Sequence, residues 1–202
     1  MSIVEDIITR SGRPSGARAQ ARETAILEAA LSLVMEVGYD RLSMDALAER
    51  AHAGKATIYR RWSGKAEVVV EAIRRRKCDA DTPATDTGSL RGDLVTTFGC
   101  ASATMSSEES ALLVGVLSAM HNDPELADLM RRQVIDAKKD HLDEIIDRAV
   151  SRGELAPGTD GAVASEVLAA LFFNRLVISG APIDDAFIVH VVDDIVLPLL
   201  RC

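Results

Sequence analysis

Lys55, Thr57, Tyr59, Arg61 and Lys65 place three cations and two hydroxyls within one short run, and the small Ala56 stands among them. Ammonium and guanidinium groups donate hydrogen bonds and neutralise phosphate, while hydroxyls both donate and accept. A small residue lets a helix backbone come close to another surface. The chemistry these residues suit is reversible recognition of a polyanion. In the major groove of a duplex, Lys55 can reach guanine acceptors, and Ala56 and the Thr57 methyl can touch a thymine methyl. The Tyr59 hydroxyl, one position past the apolar Ile58, can meet a phosphate. Arg61 and Lys65, at the far end of the segment and just beyond it, can flank the groove and neutralise backbone charge. A solvated cationic surface helix with a core Trp62 is the plain alternative. The elements that carry these residues discriminate between the two.

The segment GYDRLSMDALAERAHAGKATIYRRW reads as helix, tight turn, helix. Ser43 is a good N-cap, because its hydroxyl can accept from the free amides of the next turn. Asp45 sits in the first turn, where the helix dipole favours a negative charge. Leu47 and Ala51, four apart, can face inward, which predicts a short helix over about 44–51. His52-Ala53-Gly54 interrupts it, and Gly54 is the predicted site of the change of direction. A following helix runs through KATIYRRW with Ile58 and Trp62 on its inner face. In that arrangement the second helix enters the major groove with its N-terminal residues against base edges. Ser43 and the amides opening the helix at Met44 offer donors to a phosphate on the other side.

Ahead of this unit, Ile26, Ala30, Val34 and Val37 share one helical face, with Leu27 and Leu31 beside them, and predict a helix over about 20–37 that stops at Gly38. Residues 1–19 read as a flexible basic arm in which Arg10, Arg13, Arg18 and the adjoining Arg22 can add minor-groove or phosphate contacts, or remain a tail with no specific role. Behind the unit, Lys65 to about Cys78 predicts a helix with Val69, Ala72 and Ile73 inward. Residues 79–88, DADTPATDTG, read as a linker. Helices are then expected over Leu90–Met105, Ser110–Met120, from the Asp123/Pro124 start to about Arg152, over 161–179, and from Asp184/Asp185 to the end. The last carries two adjacent apolar stripes, Phe187-Val191-Ile195-Leu199 and Ile188-Val192-Val196-Leu200, a broader face than one packing partner usually needs. No strand or internal repeat is evident, and the fold class expected is all-α.

The 202 residues are 48% hydrophobic and 27% charged, the profile of an ordinary globular chain with a core that needs no disulfides. Residues 1–80 hold 14 Lys/Arg against 11 Asp/Glu, a net of +3, and residues 81–202 hold 9 against 20, a net of -11. The front can approach a polyanion that the rear would repel. No apolar run approaches the ~20 residues that span a bilayer. The N-terminus lacks the order of a secretory signal, and Cys78, Cys100 and Cys202 form no metal or redox pattern. A cytoplasmic location is the simple expectation.

The stretch GYDRLSMDALAERAHAGKATIYRRWSGKAEVVVEAI resembles the DNA-binding region of the TetR/AcrR transcriptional regulators. Leu47-Ala48, Lys55-Ala56-Thr57, Tyr59, Trp62 and Lys65 fill the places of the family's pattern. His52 departs from it, standing where the family usually has Gly. The resemblance is specific over about the first third of the chain and rests on layout alone beyond it. It implies a three-helix DNA-binding domain at 20–65, a linker helix and loop at 66–88, and a larger ligand-binding and dimerisation domain at 89–202. It implies base readout within 45–59, by Asp45, Lys55, Ala56, Thr57 and Tyr59, and phosphate contacts from Ser43, Met44, Tyr59, Arg61 and Lys65. It further implies a homodimer joined by the last two helices. Val163, Val167, Leu171 and Ile178 with Phe187, Val191, Ile195 and Leu199 are the expected interface, although the same face can serve only its own subunit. A dimer of this kind reads a palindromic double-stranded operator.

By the same resemblance the rear domain holds a small-molecule ligand. Phe98, Met105, Leu113, Leu117, Met120, Phe172 and Phe173 are candidates to line an apolar cavity, with His121 and Asn174 as polar handles. Each is also an ordinary core residue by character. The function that the resemblance implies is a repressor that such a ligand releases from DNA. The alternatives are a DNA-binding protein controlled by a protein partner and a small helical enzyme. For the last, Asp136, Asp140, His141 and Glu144 are the one candidate constellation. They alternate with Lys138, Lys139 and Arg148 and read better as a solvated, salt-bridged face. No phosphate loop or nucleophile motif is present, and no cofactor or metal is implied.

Overall fold

The structure, a computed structural model, describes residues 15–76, 85–103 and 107–201. Among the described residues it is helical throughout, with no strand. Helix α1 spans Ser15–Val37, α2 Met44–Arg50, α3 Lys55–Tyr59 and α4 Lys65–Arg76. Helix α1 starts five residues ahead of the predicted position, because the run Ala17–Arg22 is made of strong helix formers. The end of the expected arm is therefore helix, with Arg18 and Arg22 exposed on it; Arg10 and Arg13 lie outside the described residues. Gly38 ends α1 at φ +81. Trp62 and Ile58 pack with Ile26, Leu31 and Val34 of α1, Leu47 of α2 and Val69 and Ile73 of α4 into the front core.

Helices α5 (Leu90–Ala103), α6 (Ser107–Ala119), α7 (Pro124–Met130), α8 (Asp136–Ser151), α9 (Ala162–Phe173), α10 (Asp185–Val191) and α11 (Leu197–Leu200) complete the chain. Asp123 accepts from the Leu126 amide at 3.0 Å and Asp184 from the Phe187 amide at 2.8 Å, capping α7 and α10. Wider π-helical turns at Arg131–Ile135, Asn174–Ile178 and Val192–Val196 interrupt what the spacing predicts as uniform helices. Each adds about one residue per turn and shifts the phase of the next helical segment. Leu90 and Leu94 of α5, Ile145 of α8, Leu168 of α9, and Ile188, Val192 and Val196 form the rear core. Gly161 sits where α9 begins against α8: a Cβ there would lie 2.4 Å from Ile146 Cδ1, so any larger residue would have to push that side chain aside.

The front core does not stop at residue 89. Leu112, Val116 and Ala119 of α6, and Leu126, Met130 and Val134, belong to it. Tyr39, between α1 and α2, donates its hydroxyl to Asp123 Oδ2 at 2.7 Å across the same seam. Burial first, and then the Asp123 carboxylate, push the Tyr39 phenol pKa up, so it stays a donor at any physiological pH.

A second polar cluster ties α5 to α8. The fully buried Asp93 accepts from the Thr87 amide and hydroxyl, both at 2.7 Å, and from Arg152 at 3.0 Å. Arg148, expected on the solvated face, instead turns its guanidinium to within 3.7 Å of Asp93. Arg152 also donates to Glu154 at 2.7 Å, and Glu154 accepts the Leu90 amide that opens α5, at 2.9 Å.

The turn between α2 and α3 is built differently from the expectation. Gly54 has an ordinary φ of -67, and it is His52 that takes the left-handed conformation, at φ 49. A left-handed backbone costs an L-residue roughly 1–2 kcal/mol, part of which glycine's greater freedom when unfolded takes back. His52→Gly is therefore expected to stabilise the chain by about 0.5–1 kcal/mol, measurable as a shifted urea midpoint.

Candidate nucleic-acid interface

Ser43 accepts from the Ala46 amide at 3.1 Å, which fixes the start of α2 and leaves its hydroxyl proton free to be given away. Leu47 and Ala48 bury the opposite side of α2. Helix α3 is pinned by two side chains four apart, Ile58 and Trp62, both buried. Trp62 Nε1 donates to Glu71 Oε2 at 2.8 Å, which locks the end of this segment onto α4. At 100° per residue, the side opposite Ile58 and Trp62 carries Ala56, Thr57 and Arg60. Ala56 and Arg60 are exposed, Thr57 is half-buried, and Tyr59 is 52% exposed with its ring toward solvent.

The cations are not all free. Lys55 Nζ lies 2.6 Å from Asp45 Oδ1. Arg61 pairs with Glu23 of α1 at 2.5 Å and lies over the Trp62 ring. Arg75 joins the same Glu23 and also Glu71, at 2.6 Å for the latter. Burial works to raise the Glu71 pKa, but the Trp62 indole and the two arginines outweigh it and hold the carboxyl below its usual range. Lys65 donates to the carbonyls of Tyr39 at 3.1 Å and Asp40 at 3.3 Å, and lies over the Tyr39 ring at 4.4 Å. Arg50 forks onto Glu36 through two 2.7 Å bonds. Met44, at the first position of α2, is half-buried against the front core. Arg60 is exposed and has no ion pair among the described residues. Counting 100° steps from Ile58 singles it out in the sequence; the charge run alone assigns it no role.

Ala56, Tyr59 and Arg60 are thus exposed on α3 and at its end, with the Asp45–Lys55 pair joining the starts of α2 and α3, while Leu47, Ile58 and Trp62 lock this unit to a common core. The profile for "bacterial regulatory proteins, tetR family" matches residues 26–72, and that for "Tetracyclin repressor-like, C-terminal domain" matches residues 84–195. The chain belongs to the TetR family. It is 40% identical over 185 residues to a Mycobacteroides abscessus protein described as "DNA-binding transcriptional repressor TetR", covering 92% of this chain and 97% of the relative. It is 31% identical to the Bacillus subtilis regulator YdeS, with 89% of each chain covered. Among solved structures, Salmonella enterica GusR superposes with a TM-score of 0.73 at 19% identity, over 90% of this chain and 96% of GusR. As a TetR-family member the chain is a DNA-binding transcriptional regulator and not an enzyme.

The TetR-family rear domain distributes the expected ligand and interface residues unevenly. Phe98 and Phe172 come together, ring centroids 6.2 Å apart, with Phe187 5.8 Å beyond Phe172. Met120 packs on the front core instead, Leu113 is half-buried, and Leu117, His121, Phe173 and Asn174 are exposed. Met105 lies outside the described residues. A cleft of about 400 Å³ opens elsewhere, between the α1–α2 loop and α6, lined by Tyr39, Asp40, Arg41, Ser118 and Asn122 among others. Of the expected dimer face, Val163 is 58% and Ile178 71% exposed, Leu199 is exposed, and Val167, Leu171, Phe187 and Ile195 are half-buried. Val191, expected on that face, is instead buried within the chain, because the rear core takes it as well as the neighbouring Ile188-Val192-Val196 stripe. No described helix is long and apolar enough to cross a membrane.

Proposed function

We propose that this chain is a repressor that binds a palindromic double-stranded operator as a homodimer and lets go when a small molecule occupies its C-terminal domain. The observation that carries the reading is the α2–α3 face, with Ala56, Thr57, Tyr59 and Arg60 outward and Ile58 and Trp62 fully inward. Thr57 and Lys55 act on base edges, while Ser43, Tyr59 and Arg60 act on phosphates. Arg61 ties the segment after α3 to Glu23, Lys65 ties the start of α4 to the Tyr39 and Asp40 carbonyls, and both reach phosphate only by exchanging those partners. The exposed Val163, Ile178 and Leu199 supply the apolar area for a second copy. The Phe98-Phe172-Phe187 rings offer apolar walls for a ligand. A cytoplasmic location goes with this role.

Selection of bound sequences from random DNA tests the reading. It should return an inverted repeat with half-sites separated by about 34–36 Å or a multiple. Thr57→Val should relax preference at one base pair by ~1–3 kcal/mol, whereas Tyr59→Phe should weaken all DNA alike. A compound that binds the rear domain should lower operator affinity by a coupling of ~1–3 kcal/mol. Recovery of no motif, or equal binding by the parent to all sequences, would remove the proposal.

A further inference from the structure

The Asp45–Lys55 pair has a geometry that a phosphate clamp would avoid. Lys55 Nζ is 2.6 Å from Asp45 Oδ1, and the side chains are 58% and 69% exposed. One belongs to the first residue of α3 and the other to the first turn of α2, so the pair bridges the two helix starts beside Ala56 and Thr57. A carboxylate at that place repels every phosphate that approaches. It also occupies the cation that would otherwise bind phosphate indiscriminately. Ion pairs this exposed are weak and screened by salt, so both members can be handed over to a better partner.

The better partner is a base pair that supplies two neighbouring acceptors for the ammonium and then a donor for the carboxylate. In the major groove a G·C pair presents guanine N7 and O6 as adjacent acceptors, followed by the cytosine N4 amine as donor. One ammonium can meet both acceptors while the neighbouring carboxylate takes the amine. In an A·T pair the adenine amine can still serve the carboxylate, but it stands between the two acceptors, so the ammonium meets N7 alone and gives up its second hydrogen bond. We infer that Asp45 and Lys55 act as one unit that reads a single G·C pair in each half-site. Asp45 is thus a specificity determinant that lowers affinity for DNA in general. This rests on the proposed role of the α2–α3 face.

The test is competition binding of the full chain to its selected operator, with each half-site base pair replaced in turn. Parent, Asp45→Asn, Lys55→Gln and the double variant are compared. The parent should show one G·C pair whose replacement by A·T costs about 5- to 150-fold. Asp45→Asn should bind random-sequence duplex several-fold more tightly and lose most of the discrimination at that pair. Lys55→Gln should lose it at the same pair, and the double variant should lose no more than the worse single. Discrimination at the other positions should stand in all four. If Asp45→Asn keeps the parent's preference everywhere, or the two singles relax different base pairs, the inference is overturned while the operator reading stands. If the parent prefers no sequence at all, both fall.

Discussion

Trp62→Ala is expected to remove about 3–5 kcal/mol of stability, a large share of the ~5–15 kcal/mol that holds a typical domain together. Trp62 is the chain's one tryptophan, it is 1% exposed, and it sits where α1, α3 and α4 meet. The substitution leaves a cavity between those helices. It also takes a donor from Glu71, which remains partly buried between Arg61 and Arg75. Trp62→Phe separates the two effects. It keeps most of the ring area and loses the indole N–H, at an expected ~1–3 kcal/mol. Urea unfolding followed by far-UV circular dichroism gives the order, since tryptophan emission disappears with the residue. DNA binding should fail in the alanine variant under conditions where the phenylalanine variant still binds. An alanine variant within about 1 kcal/mol of the parent would mean that α3 is not held in the way described.

Arg152→Met is the second large effect, at about 3 kcal/mol, the low end of the range for breaking a buried ion pair. Without Arg152 the buried Asp93 keeps only its Thr87 bonds and the more distant Arg148 at 3.7 Å. Arg148 is why the low end applies. The pH dependence comes from the direction of the Asp93 shift. Burial works to raise its pKa, but the Thr87 donors and Arg152 outweigh it and hold it below the ordinary range. A carboxyl lowered in this way contributes stability that is full above its unfolded pKa of about 3.9, and that contribution is lost as pH falls through the folded value. Glu154, held low first by the Leu90 amide and then, against a smaller burial effect, by Arg152, has the same sign. In the variant Asp93 should take up its proton more readily. The stability gap between parent and variant should therefore be full at pH 7 and narrow below about pH 4, which urea titrations at the two pH values would read. A gap that stays constant, or widens in acid, would show that Asp93 is not the group responsible.

Most of the helices are legible in the sequence because their signals are local. Ser43, Asp123 and Asp184 act as caps on their own next turn, and Gly38 stops α1 by its own backbone freedom. The turn before α3 is not legible in the same way. The sign of φ at His52 is imposed by how α2 must meet α3, and Gly54 nearby is by residue type the readier candidate. The π turns leave no trace, since one added residue keeps an apolar run apolar. The α2–α3 face is legible as composition and spacing, whereas the employment of its cations is not. Arg61 finds Glu23 on α1 and Lys65 finds carbonyls between α1 and α2, partners that only the packed fold brings near. The expected ligand cavity rests on apolar character alone, which cannot distinguish Met120 on the front core from Phe172 on the rear.

The engagement of Lys55, Arg50, Arg61, Lys65 and Arg75 within the protein also bears on how the regulator travels. Each of those five must leave an internal partner before it can displace a counterion, whereas Arg18, Arg22, Arg41 and Arg60 are exposed and have no ion pair among the described residues. On a stray duplex the second group would do most of the holding, and the first would be recruited only at a site that compensates for the exchange.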